Sequence, residues 1–68
     1  MLTVEMFSLL EEIAFITNNR KLMLQCMTSE QRKLVPILLD AGLVKRSTFL
    51  EAGDSVEMTT KGMNIFAV

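Results

Sequence analysis

The segment TSEQRKLVPILLDAG, Thr28 to Gly42, constrains this chain most, because it carries the signals for both ends of a helix. Thr28 followed three residues later by Gln31 fits a capping box, in which each side chain satisfies the other's free backbone N–H. Gly42 after Ala41 is a natural stop, since glycine enters the left-handed conformation without a Cβ penalty. A helix is therefore expected to begin at about Ser29 and to end before Gly42. Inside it stands the only proline, Pro36, which removes a backbone donor and costs about 3 kcal/mol in a helix interior. At about 100° per residue, Ser29, Arg32, Lys33, Pro36 and Asp40 share the outer face, and Leu34, Leu38 and Ala41 the inner one. Pro36 then lies on the solvent side, where helices already bend, and a kink is predicted there. The competing arrangement makes Pro36 the first residue of a shorter helix and leaves SEQRKL as a separate turn.

On the N-terminal side, Thr3 can cap a helix whose first turn contains Glu5, favourably placed at the positive end of the helix dipole. Leu2, Met6, Leu9, Leu10, Ile13 and Ile16 gather on one side of it, and Glu5, Ser8, Glu11 and Glu12 on the other. Its end is expected near Thr17-Asn18-Asn19. Val4 and Phe15 break the pattern by projecting from the acidic side. Two accounts stay open for them: the C-terminal MNIFAV, with Ile65 and Phe66, folds back over them, or they form a dimer or partner contact. Arg20 to Met27, RKLMLQCM, is long enough for two turns of a second helix, with Leu22, Met23, Cys26 and Met27 available to a core.

Beyond Gly42, LVKRSTFL and SVEMT are β-branched and partly alternating, and EAGD between them contains the turn signal Gly53-Asp54. A two-stranded hairpin is predicted, with Val56 and Met58 inward and Glu57 outward. Thr59 or Thr60 can start a last helical turn.

At 68 residues this is one domain, 1–68, and a domain so small buries only about 60% of its unfolded surface. Half of its residues are nevertheless apolar, a surplus that points to self-association, a homodimer being the simplest form. Met6, Met23, Met27, Met58 and Met63 suit the filling of core gaps. The apolar runs are short and cut by charges, so none approaches the roughly 20 residues needed to cross a bilayer. Glu5, Glu11 and Glu12 fall where a signal peptide needs a basic start and an apolar centre. The single Cys26, beside Leu24 and Met27, is expected to be buried and inert, as suits a cytoplasmic protein. An interchain disulfide is the alternative.

The chain has no His, Tyr or Trp, so no Cys-His or Ser-His-Asp constellation exists, and one Cys without His offers no zinc site. Glu11 and Glu12 point about 100° apart on a helix, a poor acid/base pair. Gly42, Gly53 and Gly62 are too scattered to cradle phosphate. No enzymatic activity, cofactor or metal is expected.

The order helix, helix, capped helix, hairpin, short helix carries two motifs. ILLDAGLVKR looks like the L-L-x-x-G-L-I/V junction between recognition helix and wing of winged helix-turn-helix domains. VEMTTKG is similar to their Y-x-L-T-x-K-G exit from the wing. With the capped helix, these cover about half the chain, from Thr28 to Gly62. The resemblance is to compact prokaryotic, archaeal and viral DNA-binding regulators. It implies an α+β winged-helix fold of three helices, a two-stranded wing and a short C-terminal turn or helix, acting on double-stranded DNA as a transcriptional regulator. The third helix would enter the major groove. Ser29, Arg32 and Lys33 would then meet bases or phosphates, with Arg32 able to pair bidentately with a guanine. Lys45 and Arg46, and Arg20 and Lys21, would meet backbone phosphates.

Charge is distributed accordingly. Residues 1–17 carry three acids and no base, residues 18–50 six bases against Glu30 and Asp40, and residues 51–68 three acids against Lys61. The overall charge of -1 therefore conceals a basic middle. In two respects the chain departs from the family: its wing, with EAGD at the tip and Glu57, is acidic where many members are basic, and no long C-terminal helix follows. A winged-helix protein-interaction module, such as a viral host-modulating protein, is the second expectation; it would use Val4, Phe15 and the apolar tail, or the acidic wing.

Overall fold

The computed structural model describes residues 2–49 and 53–67. Among these the order is α1 (Val4–Glu11), β1 (Lys21–Met23), α2 (Ser29–Asp40), β2 (Val44–Phe49), β3 (Gly53–Met58) and α3 (Thr60–Asn64). Three α-helices thus accompany an antiparallel three-stranded sheet in the order β1-β3-β2, an α+β arrangement.

Thr3 caps α1 as its sequence implies, its Oγ1 accepting from the Met6 N–H at 3.2 Å. Met6, Leu9 and Leu10 are buried beneath the helix. At Glu12–Ile16 the coil widens into one π-helical turn, closed by the Thr17 N–H on the Glu12 carbonyl at 3.1 Å. The Thr17 hydroxyl also donates to the Ile13 carbonyl at 2.7 Å, and the chain becomes extended at Thr17, where a stop was expected. The wide turn keeps Ile13 and Ala14 inside but leaves Phe15 59% and Ile16 75% exposed. Ile16, expected on the core side, is thus turned outward, because a π turn holds more residues than the 3.6 of an α turn.

No second helix forms between Arg20 and Met27. Asn18–Arg20 is a 3-10 turn, Lys21–Met23 is β1, and Leu24–Cys26 is a second 3-10 turn. Asn19 and Arg20 have φ of 63° and 57°, and two successive left-handed residues end any right-handed helix. What replaces the helix is pairing: β1 lies on β3 with Lys21 opposite Glu57, Leu22 opposite Val56 and Met23 opposite Ser55. The hairpin is consequently part of a three-stranded sheet, and one long edge of β3 is covered instead of being left as an unpaired row of N–H and C=O groups. Cys26 ends the second 3-10 turn and is exposed, contrary to the buried thiol that a helix would have made.

α2 begins with the full capping box. The Thr28 Oγ1 accepts from the Gln31 N–H at 3.1 Å and the Gln31 side chain accepts from the Thr28 N–H at 2.9 Å. Gln31 also donates to the Glu12 carboxylate at 3.2 Å, which ties the start of α2 to the π turn. α2 is one helix across Pro36, not a turn followed by a shorter helix; Pro36 is exposed, so water can reach the carbonyl that loses its donor. Val35 and Leu38 are buried and Leu34 is half-buried. Ala41, expected on the inner face, is exposed, because it is the capping residue at which the chain leaves the helix. Thr28→Ala is expected to cost about 1 kcal/mol, read as a lower urea midpoint with an unchanged slope.

Gly42 takes φ +76°. Its N–H donates to the Leu39 carbonyl at 3.0 Å and that of Leu43 to the Leu38 carbonyl at 3.1 Å, a Schellman ending that turns the chain into β2. In the hairpin Val44 stands opposite Met58, Lys45 opposite Glu57 and Arg46 opposite Val56. Val56 and Met58 are buried and Glu57 only partly so, as the alternation predicts. Thr59 then performs three tasks. Its Oγ1 accepts from the Gly62 N–H at 2.9 Å and donates to the Gly42 carbonyl at 2.6 Å, while its N–H donates to the Leu43 carbonyl at 3.2 Å. α3 is thereby fastened to the junction between α2 and β2. Between helices and sheet, Leu9, Leu10, Ile13, Leu38 and Val56 form the centre of the core.

Candidate functional site

The exposed side of α2 carries Ser29, Arg32, Lys33, Pro36 and Asp40, as the helical spacing predicts. Arg32, however, is occupied. Its Nη1 donates to the Met27 carbonyl at 2.7 Å and to the Leu24 carbonyl at 3.3 Å, and its Nη2 to the Ser29 hydroxyl at 3.4 Å. The guanidinium therefore clasps the 3-10 turn Leu24–Cys26 and the entry of α2 to the helix body. These contacts engage three of its five N–H donors.

Lys33 on α2 and the cations of β2 have carboxylates beside them. Lys33 Nζ lies 3.5 Å from Glu30, Lys45 Nζ 3.9 Å from Glu57, and Arg46 Nη1 4.0 Å from Asp54. Lys21 stands opposite Glu57 on the other side of β3, so Lys21, Glu57 and Lys45 form one row across the sheet. Successive residues of a strand point to opposite faces. Lys45 and Arg46 thus point to opposite faces of the sheet. Arg20 is exposed but precedes a strand instead of opening a helix. Of the acidic tip EAGD, Glu51 and Ala52 lie outside the described residues, and Asp54 is within β3.

Of the residues expected to contact a partner, Phe15 and Phe66 are brought together, their ring centroids 4.9 Å apart in an edge-on arrangement. Phe66 also meets Phe7, at 5.2 Å. The tail thus folds onto Phe15 yet leaves much of it open, while Val4 remains 79% exposed. Ile65 turns elsewhere, into a groove of about 290 Å³ between the start of α1, the end of α2 and α3, whose one charged lining residue is Lys61. Phe7 and Ile16 belong to the exposed apolar face and were not anticipated. Phe7 was legible from its i, i+8 spacing to Phe15; Ile16 was not, because only the π turn turns it outward.

Neither a family model, nor a curated protein, nor a solved structure matches the chain. Among the described residues no helix is long and apolar enough to cross a membrane.

Proposed function

We propose that the protein is a small winged-helix regulator of double-stranded DNA, with α2 as the helix that enters the major groove and the β2–β3 hairpin as the wing. The observation that carries this reading is the disposition of α2. It buries Val35 and Leu38, exposes Ser29, Arg32, Lys33 and Pro36, and passes through Gly42 directly into the hairpin. β1 on the far side of β3 agrees with the same architecture. The first helix of the helix-turn-helix is reduced to the 3-10 turn Leu24–Cys26, and the Arg32 clasp supplies the fixing of α2 that a packed helix otherwise provides.

The ion pairs do not oppose this function by much. Exposed pairs of this kind contribute about 0–1 kcal/mol, so a phosphate can take the place of Glu30 beside Lys33. Lys45 and Lys21 flank Glu57 and supply backbone contacts from the sheet, while the acidic residues of the hairpin keep it out of the minor groove. Arg32 then acts chiefly by holding α2 in position.

The test is fluorescence anisotropy of labelled genomic fragments across a salt series. With about three phosphates engaged, by Lys33, Lys45 and Lys21, the logarithm of affinity should fall against that of salt with a slope of about -2.7. Lys33→Ala should reduce the slope by about 1. Arg32→Ala should weaken binding at every salt concentration with little change of slope, and the double variant should abolish it. Absence of binding to any fragment at about 50 mM salt overturns the proposal.

A further inference from the structure

The side of α1 away from the core has a composition of its own. Phe7, Glu11 and Phe15 follow at i, i+4 and i+8, so they occupy one line along the helix and its π turn. Both rings of that line lean on Phe66. Val4, three residues before Phe7, extends it, and Ile16 flanks its far end. Exposure is 79% at Val4, 40% at Phe7, 59% at Phe15 and 75% at Ile16, over a rise of roughly 16 Å from Val4 to Phe15. A surface of this sort on so small a protein is a mark of association.

Its charge selects the occupant. Residues 1–17 contain Glu5, Glu11 and Glu12 and no base. Glu12 is directed to Gln31 of α2, whereas Glu5 and Glu11 are exposed beside the apolar residues. A second copy docked about a two-fold axis through the middle of this line would set Glu11 against Glu11, since an isologous contact pairs each residue with its own surroundings. Like charges so placed are repulsive. A cationic partner gains from the same carboxylates.

We infer that the line Val4–Phe7–Glu11–Phe15, with Ile16 and Phe66, is a docking surface for a basic amphipathic helix of another protein. About three turns of the partner lie along it, apolar residues spaced i, i+3 and i+4 meet Val4, Phe7 and Phe15, and Lys or Arg beside them meet Glu5 and Glu11. The surface lies on a different element from the DNA-facing side of α2, so it stands or falls independently of that reading.

The experiment uses the full chain, labelled with 15N, and two synthetic peptides of about five helical turns: one of Leu and Lys in amphipathic order, and the same peptide with Glu for Lys. The Leu/Lys peptide should bind, with amide shifts confined to α1, the π turn and Phe66. Glu11→Lys should weaken it roughly tenfold or more and remove most of the preference for the Leu/Lys peptide over the Leu/Glu one; Phe15→Ser should weaken it by a similar factor. Lys33→Ala should leave it unchanged. The inference is overturned by equal binding of the two peptides, by indifference to Glu11→Lys, or by a homodimer that Phe15→Ser dissociates and that excludes the peptide.

Discussion

Replacing Gly62 by alanine is expected to lower the melting temperature by roughly 15 °C, the equivalent of about 3 kcal/mol in a domain of this size. Taken alone, the helical setting argues the other way, since alanine is favoured over glycine by about 1 kcal/mol in a helix. Sterics decide the sign. A Cβ at Gly62 overlaps the carbonyl oxygen of Leu43, and it stands 3.0 Å from the Leu43 carbonyl carbon and 2.9 Å from the Met58 Cε. The methionine end can move aside. The Leu43 carbonyl cannot do so cheaply, because it accepts the Thr59 N–H at 3.2 Å, and Thr59 also holds the neighbouring Gly42 carbonyl. α3 must therefore lift away or the α2–β2 junction must shift, and overpacking of this kind commonly costs about 1–3 kcal/mol or somewhat more. A chain of 68 residues has only about 3–10 kcal/mol of stability in total. Thermal melts followed by circular dichroism give the answer directly: a midpoint within a few degrees of the parent would mean that α3 does not rest on Leu43.

The second large effect is expected at Leu38. Its side chain is 1% exposed, it connects the inner face of α2 to the core around Leu10 and Val56, and its own carbonyl receives the Leu43 N–H that ends the helix. Leu38→Ala removes buried methyl groups and leaves a cavity, a loss of about 2–5 kcal/mol. Its neighbour Ile37 is 49% exposed, and Ile37→Ala should cost about 1 kcal/mol or less. Urea denaturation of the two variants, read as midpoints at constant slope, tests the orientation of α2 with a built-in control. Equal costs would show that α2 presents a different face to the core, and the exposure of Arg32 and Lys33 on its other side would be lost with it.

Features governed by neighbours along the chain are legible in the amino-acid sequence. The Thr28–Gln31 box, the Thr3 and Thr59 caps and the left-handed Gly42 each involve residues within four positions of one another, so residue type and spacing are enough to specify their chemistry. The inward Val56 and Met58 follow from the two-residue period of a strand. RKLMLQCM misled because a short apolar run carries no decisive period, and helix and strand then compete on equal terms. It became β1 because β3, more than thirty residues later in the chain, offers a free edge. The exposure of Cys26 and the role of Arg32 follow from that pairing: once the second helix is a 3-10 turn, the carbonyls of Leu24 and Met27 come within reach of the guanidinium.

What the sequence determined by itself, then, was where α2 begins and stops, that a last helical turn starts at Thr59 or Thr60, which hairpin residues face inward, and how the basic and acidic stretches are distributed, because these depend on local hydrogen bonds, periodicity and formal charge. Only the tertiary structure decided that β1 joins the sheet, that the π turn directs Ile16 outward, and that Arg32 uses most of its donors within the protein. The first depends on an edge offered by a strand more than thirty residues away, which no local pattern contains, and the Arg32 contacts follow from it.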